Sequence, residues 1–467
     1  MTSIKSFCKV YGYQLVLAGL ILLLIIFKIP YLKLPYYWDE AWSYIPAIFK
    51  LYNSKIGILP GALPADFSKG HPLLFYFTAA WWMKLFGTSI ITMRLLPMLL
   101  SILLIIVMFV FCKNHFSENT GLTAIVLLMS QSIFLVQSSF LLPEILLALL
   151  TLLTIHAYLK KNKILLILWA TLLLLTKESG LILLLTLFIH QSLFANNFKT
   201  FIKETLILCV PLFLIVVYFI KQKLVFGWYV FPEHLGYVNL NVKELWRNFG
   251  LLSENLFILM GRIMISLSIV AAILIAIIKK IKHQEHTKKI VLFLLFILLY
   301  MIFTSVNFFS MRYLICIFPV FMILGAYFIQ NYFRNTYLKI SMISISCVFL
   351  LGNTFSSKKN GDCYLEYADV VKVHQKVVAY CEEQNWYNSA IATHFLMKIN
   401  LTNPEAGYLK DKKNVFKNVR DFHADYTILI ISSVELTEES NTLRIKYKDK
   451  LMKRFELNNS WSEIYSL

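Results

Sequence analysis

Charge is the scarcest property of this 467-residue chain: Asp, Glu, Lys and Arg together make up 15% of it, against about 25% in a typical soluble domain. Acids are the rarer sign, 26 against 45 Lys and Arg. Glycine and proline are also sparse, at 16 and 12 residues, which excludes collagen-like and linker compositions. No two glycines stand one residue apart, so no Gly-x-Gly phosphate cradle exists, and no Asp-x-Asp triad is present to hold a metal-bound pyrophosphate. Disorder is excluded as well, because too few residues are polar to keep the chain solvated. What is abundant is apolar: 58% of residues are hydrophobic and mean hydropathy is +0.66. That composition defines a polytopic membrane protein, at roughly 20 apolar residues per span.

Apolar runs predict eleven spans, near 12–30, 90–111, 120–139, 142–159, 164–176, 179–195, 204–220, 257–278, 290–306, 313–330 and 338–353. The first run has no small-residue cleavage site after it and reads as a retained helix. An odd number of spans puts the termini on opposite sides. With the N-terminus in the cytoplasm, fifteen cations fall at inner span ends (Lys5, Lys9, Lys113, Lys160, Lys161, Lys163, Lys199, Lys203, Lys279, Lys280, Lys282, Lys288, Lys289, Arg334 and Lys339), and only Lys177 and Arg312 fall in short outer turns. The positive-inside rule then directs the loop 31–88, the loop 221–256 and the tail 354–467 outward. The +19 net charge is therefore mostly topological, and nucleic acid is not an expected partner.

The chain divides into a membrane part, 1–353, and a tail, 354–467. The tail holds 16 Lys/Arg and 15 Asp/Glu. A helix-spaced valine stripe runs from Leu365 to Glu383. Ala390–Thr393 and Tyr426–Ile431 read as buried strands, and Leu443 to Tyr465 as further alternating strand segments, so a small extracytoplasmic α/β domain is expected. A structural cap without catalysis is the favoured role for it. Cys363 and Cys381 are the two cysteines of this tail; an oxidising compartment would let them pair, and two unpaired thiols are an equal alternative.

Ionisable groups at membrane depth are functional candidates by default. Four carboxylates qualify, all on the outer side: Asp39 and Glu40 just past the first span, Glu144 behind Pro143 at the start of the fourth, and Glu178 in the turn Thr176-Lys177-Glu178-Ser179-Gly180. Each has a bland alternative: Asp39 and Glu40 as solvated flanks, Glu144 as a favourable charge at a helix N-terminus, Glu178 as the partner of Lys177. Together they describe an acidic outward cavity. The fifth run, Ile164 to Thr176, rises only about 20 Å as a helix, short of a hydrocarbon core of about 30 Å, so the Lys177-Glu178 turn is expected to lie sunken. Cations gather on the same side: Lys69 and His71 before a second aromatic segment, Arg94, Arg262, and Arg312 followed by Tyr313. Trp42 to Leu51 and His71 to Phe86 read as interfacial segments. Carboxylates beside cations suit a site that deprotonates one group and holds an anion nearby.

These residues resemble the GT-C superfamily of polytopic glycosyltransferases, in particular the branch with bacterial protein O-mannosyltransferase-like enzymes and lipid A aminoarabinose transferases. The pieces that match, in order, are Trp38-Asp39-Glu40 after the first span, His71-Pro72-Leu73-Leu74-Phe75-Tyr76, Arg94-Leu95-Leu96, Pro143-Glu144, Thr176-Lys177, and Arg312-Tyr313-Leu314 with Pro319. Leu73 stands where the family often has a second proline, and Glu178 where a glycine is common. The resemblance implies an α-helical GT-C-like fold and transfer of a sugar from a polyprenyl-phosphate-linked donor to a lipid, glycan or protein acceptor, with inversion. Asp39, Glu40 and Glu144 would form the catalytic carboxylates, with Asp39 the presumed base or acceptor-binding group. Lys69, His71, Arg94, Lys177, Glu178, Arg312 and Tyr313 would serve donor phosphate or substrate. No cofactor is required; a divalent metal ion bridging Asp39 or Glu144 to the phosphate stays open. The expected location is the inner membrane, with site and tail facing the periplasm or exterior. A glycan-to-lipid ligase, or a non-catalytic scaffold or transporter in envelope glycan assembly, remains the alternative.

Overall fold

A computed structural model describes residues 2–278, 284–307, 310–359 and 361–467; Lys279, Lys280 and Lys282, three of the cations that orient the chain, lie outside the described residues. Each of the eleven apolar runs falls on helix. The first is α1 (Thr2–Lys28). Three short helices follow it, α2 (Ile45–Tyr52), α3 (Ala65–Ser68) and α4 (Leu74–Phe86), with a π-helical turn at Glu40–Tyr44 leading into α2. The bundle continues with α5 (Ile90–His115), α6 (Glu118–Met129), α7 (Ser132–Gln137), α8 (Glu144–Leu159), α9 (Lys163–Thr176), α10 (Leu181–Phe194) and α11 (Phe198–Phe226). It ends with α12 (Pro232–Leu235), α13 (Val242–Phe257), α14 (Ile263–Ile278), α15 (Gln284–Val306), α16 (Phe318–Tyr332) and α17 (Thr336–Ser356).

Local chemistry sets these boundaries. Ser89, Ser117, Asn162, Asn197, Asn241 and Asn335 each stand just before a helix and accept a hydrogen bond from a backbone N–H of its first turn, satisfying donors that otherwise have no partner. The expected single span at 120–139 is two helices, broken at Ser130-Gln131. The polar pair ends α6, and Gln131 turns its side-chain carbonyl to the Arg262 guanidinium at 3.0 Å.

Among the described residues, five helices are long and apolar enough to cross a membrane by themselves. The shorter apolar helices differ in burial: α14 buries only Ile265, Ser268 and Ala272, whereas α8 is core. Twelve of the sixteen residues of α8 are buried. The peripheral α11 buries only Leu208, Pro211, Ile215, Tyr218 and Gln222 of its 29 residues, a stripe of three- and four-residue steps down one face. Between its charged ends, the exposed side chains of α11, among them Leu206, Phe213, Val216 and Ile220, are apolar.

The tail forms a small C-terminal sheet domain. Helix α18 (Tyr367–Glu383) turns its valine stripe inward. After it come β1 (Ile391–Thr393), α19 (Phe395–Thr402), β2 (Val419–Arg420), β3 (Ile428–Ser432), α20 (Glu438–Lys446), β4 (Leu451–Leu457) and β5 (Ser460–Ser466). Strand order is β2-β1-β3-β5-β4, with β1 parallel to β2 and β3, and β5 antiparallel to β3 and β4. The two-residue β4–β5 turn has Asn458 at φ 52, a conformation Asn tolerates. One expectation is corrected here and one open alternative is resolved. Leu443 to Lys446 belongs to a helix, held at its start by a capping box between Thr437 and Ser440. Cys363 and Cys381 are both free, buried thiols.

The domain is not a detached cap. Ser132 and Gln137 of α7 donate to the carbonyls of Cys363 and Asp362 at 2.7 Å, and Asn403 donates to Ala41 at 3.0 Å. Tyr36 donates its backbone N–H to Ala406 at 3.0 Å, and Phe140 meets Tyr367 edge-on at 4.7 Å. Those contacts fix the chain at Asp362, which matters for the site.

Candidate active site

The sequence candidates separate into three groups. In the first, Glu40 and Arg94 are both wholly buried. Each Glu40 carboxylate oxygen meets the Arg94 guanidinium at 3.2 Å and also accepts a backbone N–H, from Leu141 at 2.7 Å and from Tyr37 at 3.3 Å. Arg94 spends its remaining donors on the carbonyls of Leu34, Pro35 and Ser139. With no exposure and every strong bond taken, the pair ties the segment after α1 to α5 and to the loop before α8. Both side chains are closed off from solvent and held in place by these bonds.

The second group is centred on Arg312, in the 3₁₀ turn ahead of α16. Its guanidinium meets three carboxylates: Asp39, Glu144 at 3.4 Å and Asp362 at 2.5 Å. Lys177 reaches Glu144 from the other side at 3.2 Å and lies 4.0 Å above the Tyr313 ring. Two cations thus face three carboxylates. Burial opposes the charged form of Arg312, but Asp362, Glu144 and Asp39 outweigh it and hold the guanidinium above its ordinary range. Burial also opposes charge on Lys177, and Glu144 again prevails and raises it. Both are cations at neutral pH. Asp39 is the exposed member, its side chain 18% accessible, and its other oxygen accepts the Trp42 indole N–H at 2.8 Å. Glu144 is 1% exposed, and its second oxygen has no hydrogen-bond partner.

The third group lines a cavity of about 360 Å³ next to Lys177. His71 Nδ1 lies 3.0 Å from Glu178, and the His71 and His234 rings are 4.9 Å apart. Burial disfavours charge on Glu178, yet His71 and its hydrogen bond pull the carboxyl below its usual range. Burial, then His71, lowers His234. Much of the remaining lining is apolar, with Phe219, Tyr229, Phe231, Leu235 and Val238. Two glycines make the geometry fit. A Cβ on Gly180 would lie 2.9 Å from Leu173 Cγ, so only glycine lets the Lys177-Glu178 turn fold back onto α9. Gly70, at φ +74, would place a Cβ 2.8 Å from Phe231, and its bareness lets His71 approach the 228–234 segment.

Glu178 and Lys177 therefore do not pair with each other: Lys177 takes Glu144 at the start of α8, and Glu178 takes His71 from the segment before α4. Lys69 stands apart, over the Trp42 and Phe231 rings at 5.9 and 5.7 Å. Arg262 bonds Asn255 and Gln131 and does not join the site. Sequence reasoning missed Asp362 and His234. Asp362 lies beyond the last span, where acids are common. His234 is one histidine in an aromatic loop, and only Pro232 before it hinted at a fixed turn. Among the described residues no set of three His, Cys, Asp or Glu side chains is placed to hold a metal ion.

The fold and this site define a class: a multi-pass membrane protein with the GT-C glycosyltransferase architecture. A family profile described as dolichyl-phosphate-mannose-protein mannosyltransferase matches residues 70–220. The chain is similar over nearly its whole length to ArnT from Cupriavidus metallidurans. The apo structure of that protein aligns with TM-score 0.58 and 10% identity, covering 98% of both chains. Its complex with undecaprenyl phosphate aligns with TM-score 0.60 and 10% identity, covering 97% of this chain and 98% of that one. A looser likeness, TM-score 0.47 at 12% identity, is to the Archaeoglobus fulgidus oligosaccharyltransferase complexed with Zn and sulfate, over 89% of this chain and 68% of that one. No curated protein matches. The GT-C resemblance drawn from the sequence is borne out, and the profile match on this fold supports glycosyltransferase activity.

Proposed function

We propose that the protein transfers a sugar from a polyprenyl-phosphate donor to a lipid, glycan or protein acceptor on the extracytoplasmic side of the inner membrane, with inversion. The observation that carries this reading is the juxtaposition of Lys177 with the cavity: a buried cation and apolar, aromatic side chains share its lining, and a partly accessible carboxylate, Asp39, lies one arginine away. The ArnT complex with undecaprenyl phosphate supports a donor of that chemistry.

In this scheme the prenyl phosphate enters the cavity and its phosphate meets Lys177, His71 and His234. Asp39 accepts the proton of the acceptor nucleophile, which attacks the anomeric carbon. The sugar–phosphate bond breaks and the polyprenyl phosphate departs as a stable anion, so no general acid is needed. Charge grows on the phosphate as the bond breaks, and Lys177 stabilises it there. Arg312 acts first on Asp39: its guanidinium and the Trp42 indole fix both carboxylate oxygens. A metal ion is not required.

The test is an assay of purified protein with a polyprenyl-phosphate sugar and, separately, with a nucleotide sugar. Transfer from the lipid-linked donor alone is expected; transfer from the nucleotide sugar alone refutes the reading. Orientation is checked independently: a reporter active only in the cytoplasm, fused after Leu467, should be silent.

A further inference from the structure

A second cavity, of about 330 Å³, lies at the opposite end of the same helices. Helix α9 runs from Lys163 at this cavity to Thr176 at the active site, about 20 Å at 1.5 Å per residue. Its lining includes Lys161, Lys163, Lys288 and Lys289, against a single carboxylate among the described lining residues, Glu204. Lys161, Lys163 and Lys288 enter no ion pair with any described residue, and Lys161 and Lys163 are exposed.

The cavity is a built one. The Lys288 carbonyl can only accept, so His190 donates Nε2–H to it at 3.0 Å, and His190 Nδ1 then accepts the Tyr158 hydroxyl at 2.8 Å. That bridge pins the ends of α8 and α10 to the start of α15. Thr205 donates to Gln191 at 3.3 Å and brings α11 alongside. Exposed apolar side chains stand near this end of the helices: Ile164, next to Lys163 in α9, is 80% exposed and Phe198, the first residue of α11, 75%. A cavity with cations in excess of carboxylates, near exposed apolar side chains, has the two halves of a phospholipid site, a place for an anionic head group and a surface for its chains.

We infer that this cavity binds the head group of an anionic phospholipid in the leaflet opposite the active site. The lysines face the phosphodiester, and the acyl chains run down the exposed faces of α9 and α11. Basic pockets between membrane helices hold anionic head groups on this principle. A free phosphate shares the head-group chemistry but would gain nothing from the apolar rim.

The experiment is lipid binding by purified full-length protein in detergent, followed by native mass spectrometry and thermal unfolding. Phosphatidylglycerol, phosphatidylcholine and inorganic phosphate are titrated separately. Wild type should retain and be stabilised by phosphatidylglycerol, and by neither of the others. Lys163→Gln/Lys288→Gln should bind phosphatidylglycerol roughly thirtyfold more weakly, with its lipid-free unfolding temperature unchanged. Lys163→Arg/Lys288→Arg should retain binding. Lys199→Gln/Lys203→Gln, which removes the same charge from the same end of the molecule outside the cavity, should bind as wild type. Equal binding of phosphatidylcholine, equal stabilisation by inorganic phosphate, or equal loss in the Lys199/Lys203 control would each overturn the inference.

Discussion

Two buried arginine clusters lie on either side of the same π-helical turn, and they differ in one respect. Arg94 meets one carboxylate, and between them Arg94 and Glu40 leave no strong bond unmade. Arg312 meets three carboxylates, two of them partly open to solvent, with a Glu144 oxygen left unpartnered. A closed network has nothing to offer a ligand and serves as a strut. An open one, with charge in excess and polar atoms unspent, can exchange partners during a reaction. The neighbours Asp39 and Glu40 pair with different arginines and belong to different clusters, although they adjoin in the chain.

The largest effect that would test this contrast is on the strut. Arg94→Met leaves Glu40 buried without its cation and should cost about 3–5 kcal/mol of stability, seen as lost expression or a collapsed thermal transition. The double change Glu40→Met/Arg94→Met should recover much of that loss, because the penalty lies in the unpaired charge. If Arg94→Met folded normally but lost turnover, the division into strut and site would be wrong.

Next in size is Asp39→Asn, which keeps shape and removes charge. Transfer should fall by about 10²–10⁴ while membrane insertion and melting hold steady. Near-normal turnover would move attention to Glu144. Lys177→Met should reduce transfer by roughly 10²–10³, with the loss following the lipid donor and not the acceptor.

Arg312→Lys is a finer probe. It retains the charge but lacks the planar fork that spans three carboxylates. The expected result is a lower turnover with little change in the donor's apparent affinity, because Asp39 is released from its fixed position. A change confined to donor affinity would instead return Arg312 to the phosphate.

The smallest effect concerns Glu178. Its folded carboxyl titrates below its unfolded value, so its contribution to stability is present above the unfolded pKa of about 4.3 and is lost as pH falls through the folded one. Melting measured from pH 6 down to pH 3 should therefore decline less steeply in Glu178→Gln than in wild type. Parallel curves would show that the His71 contact does not stabilise the fold.

Much of the fold was readable because lipid imposes a coarse rule. Each of the eleven apolar runs became helix, the short run at 164–176 ended at a turn inside the site, and the carboxylates Asp39 and Glu144 met Arg312 and Lys177. Scarcity made those residues visible: among 11 acids in the first 353 residues, any one at membrane depth stands out. In the tail, where acids are ordinary, the same scrutiny had no contrast to work with and passed over Asp362.

The sequence by itself determined that the chain is a helical membrane protein, where its apolar runs lie, and which charged residues face the one problem lipid creates, a charge without a partner. The tertiary structure alone decided the partners. Glu40 found Arg94, Glu178 found His71 across more than a hundred residues, and the tail delivered Asp362 to Arg312. Hydrophobic periodicity specifies which face of a helix is buried, but a charged side chain is satisfied by whatever opposite charge packing brings within about 4 Å. That distance is fixed by how the helices cross, which no local stretch of sequence encodes.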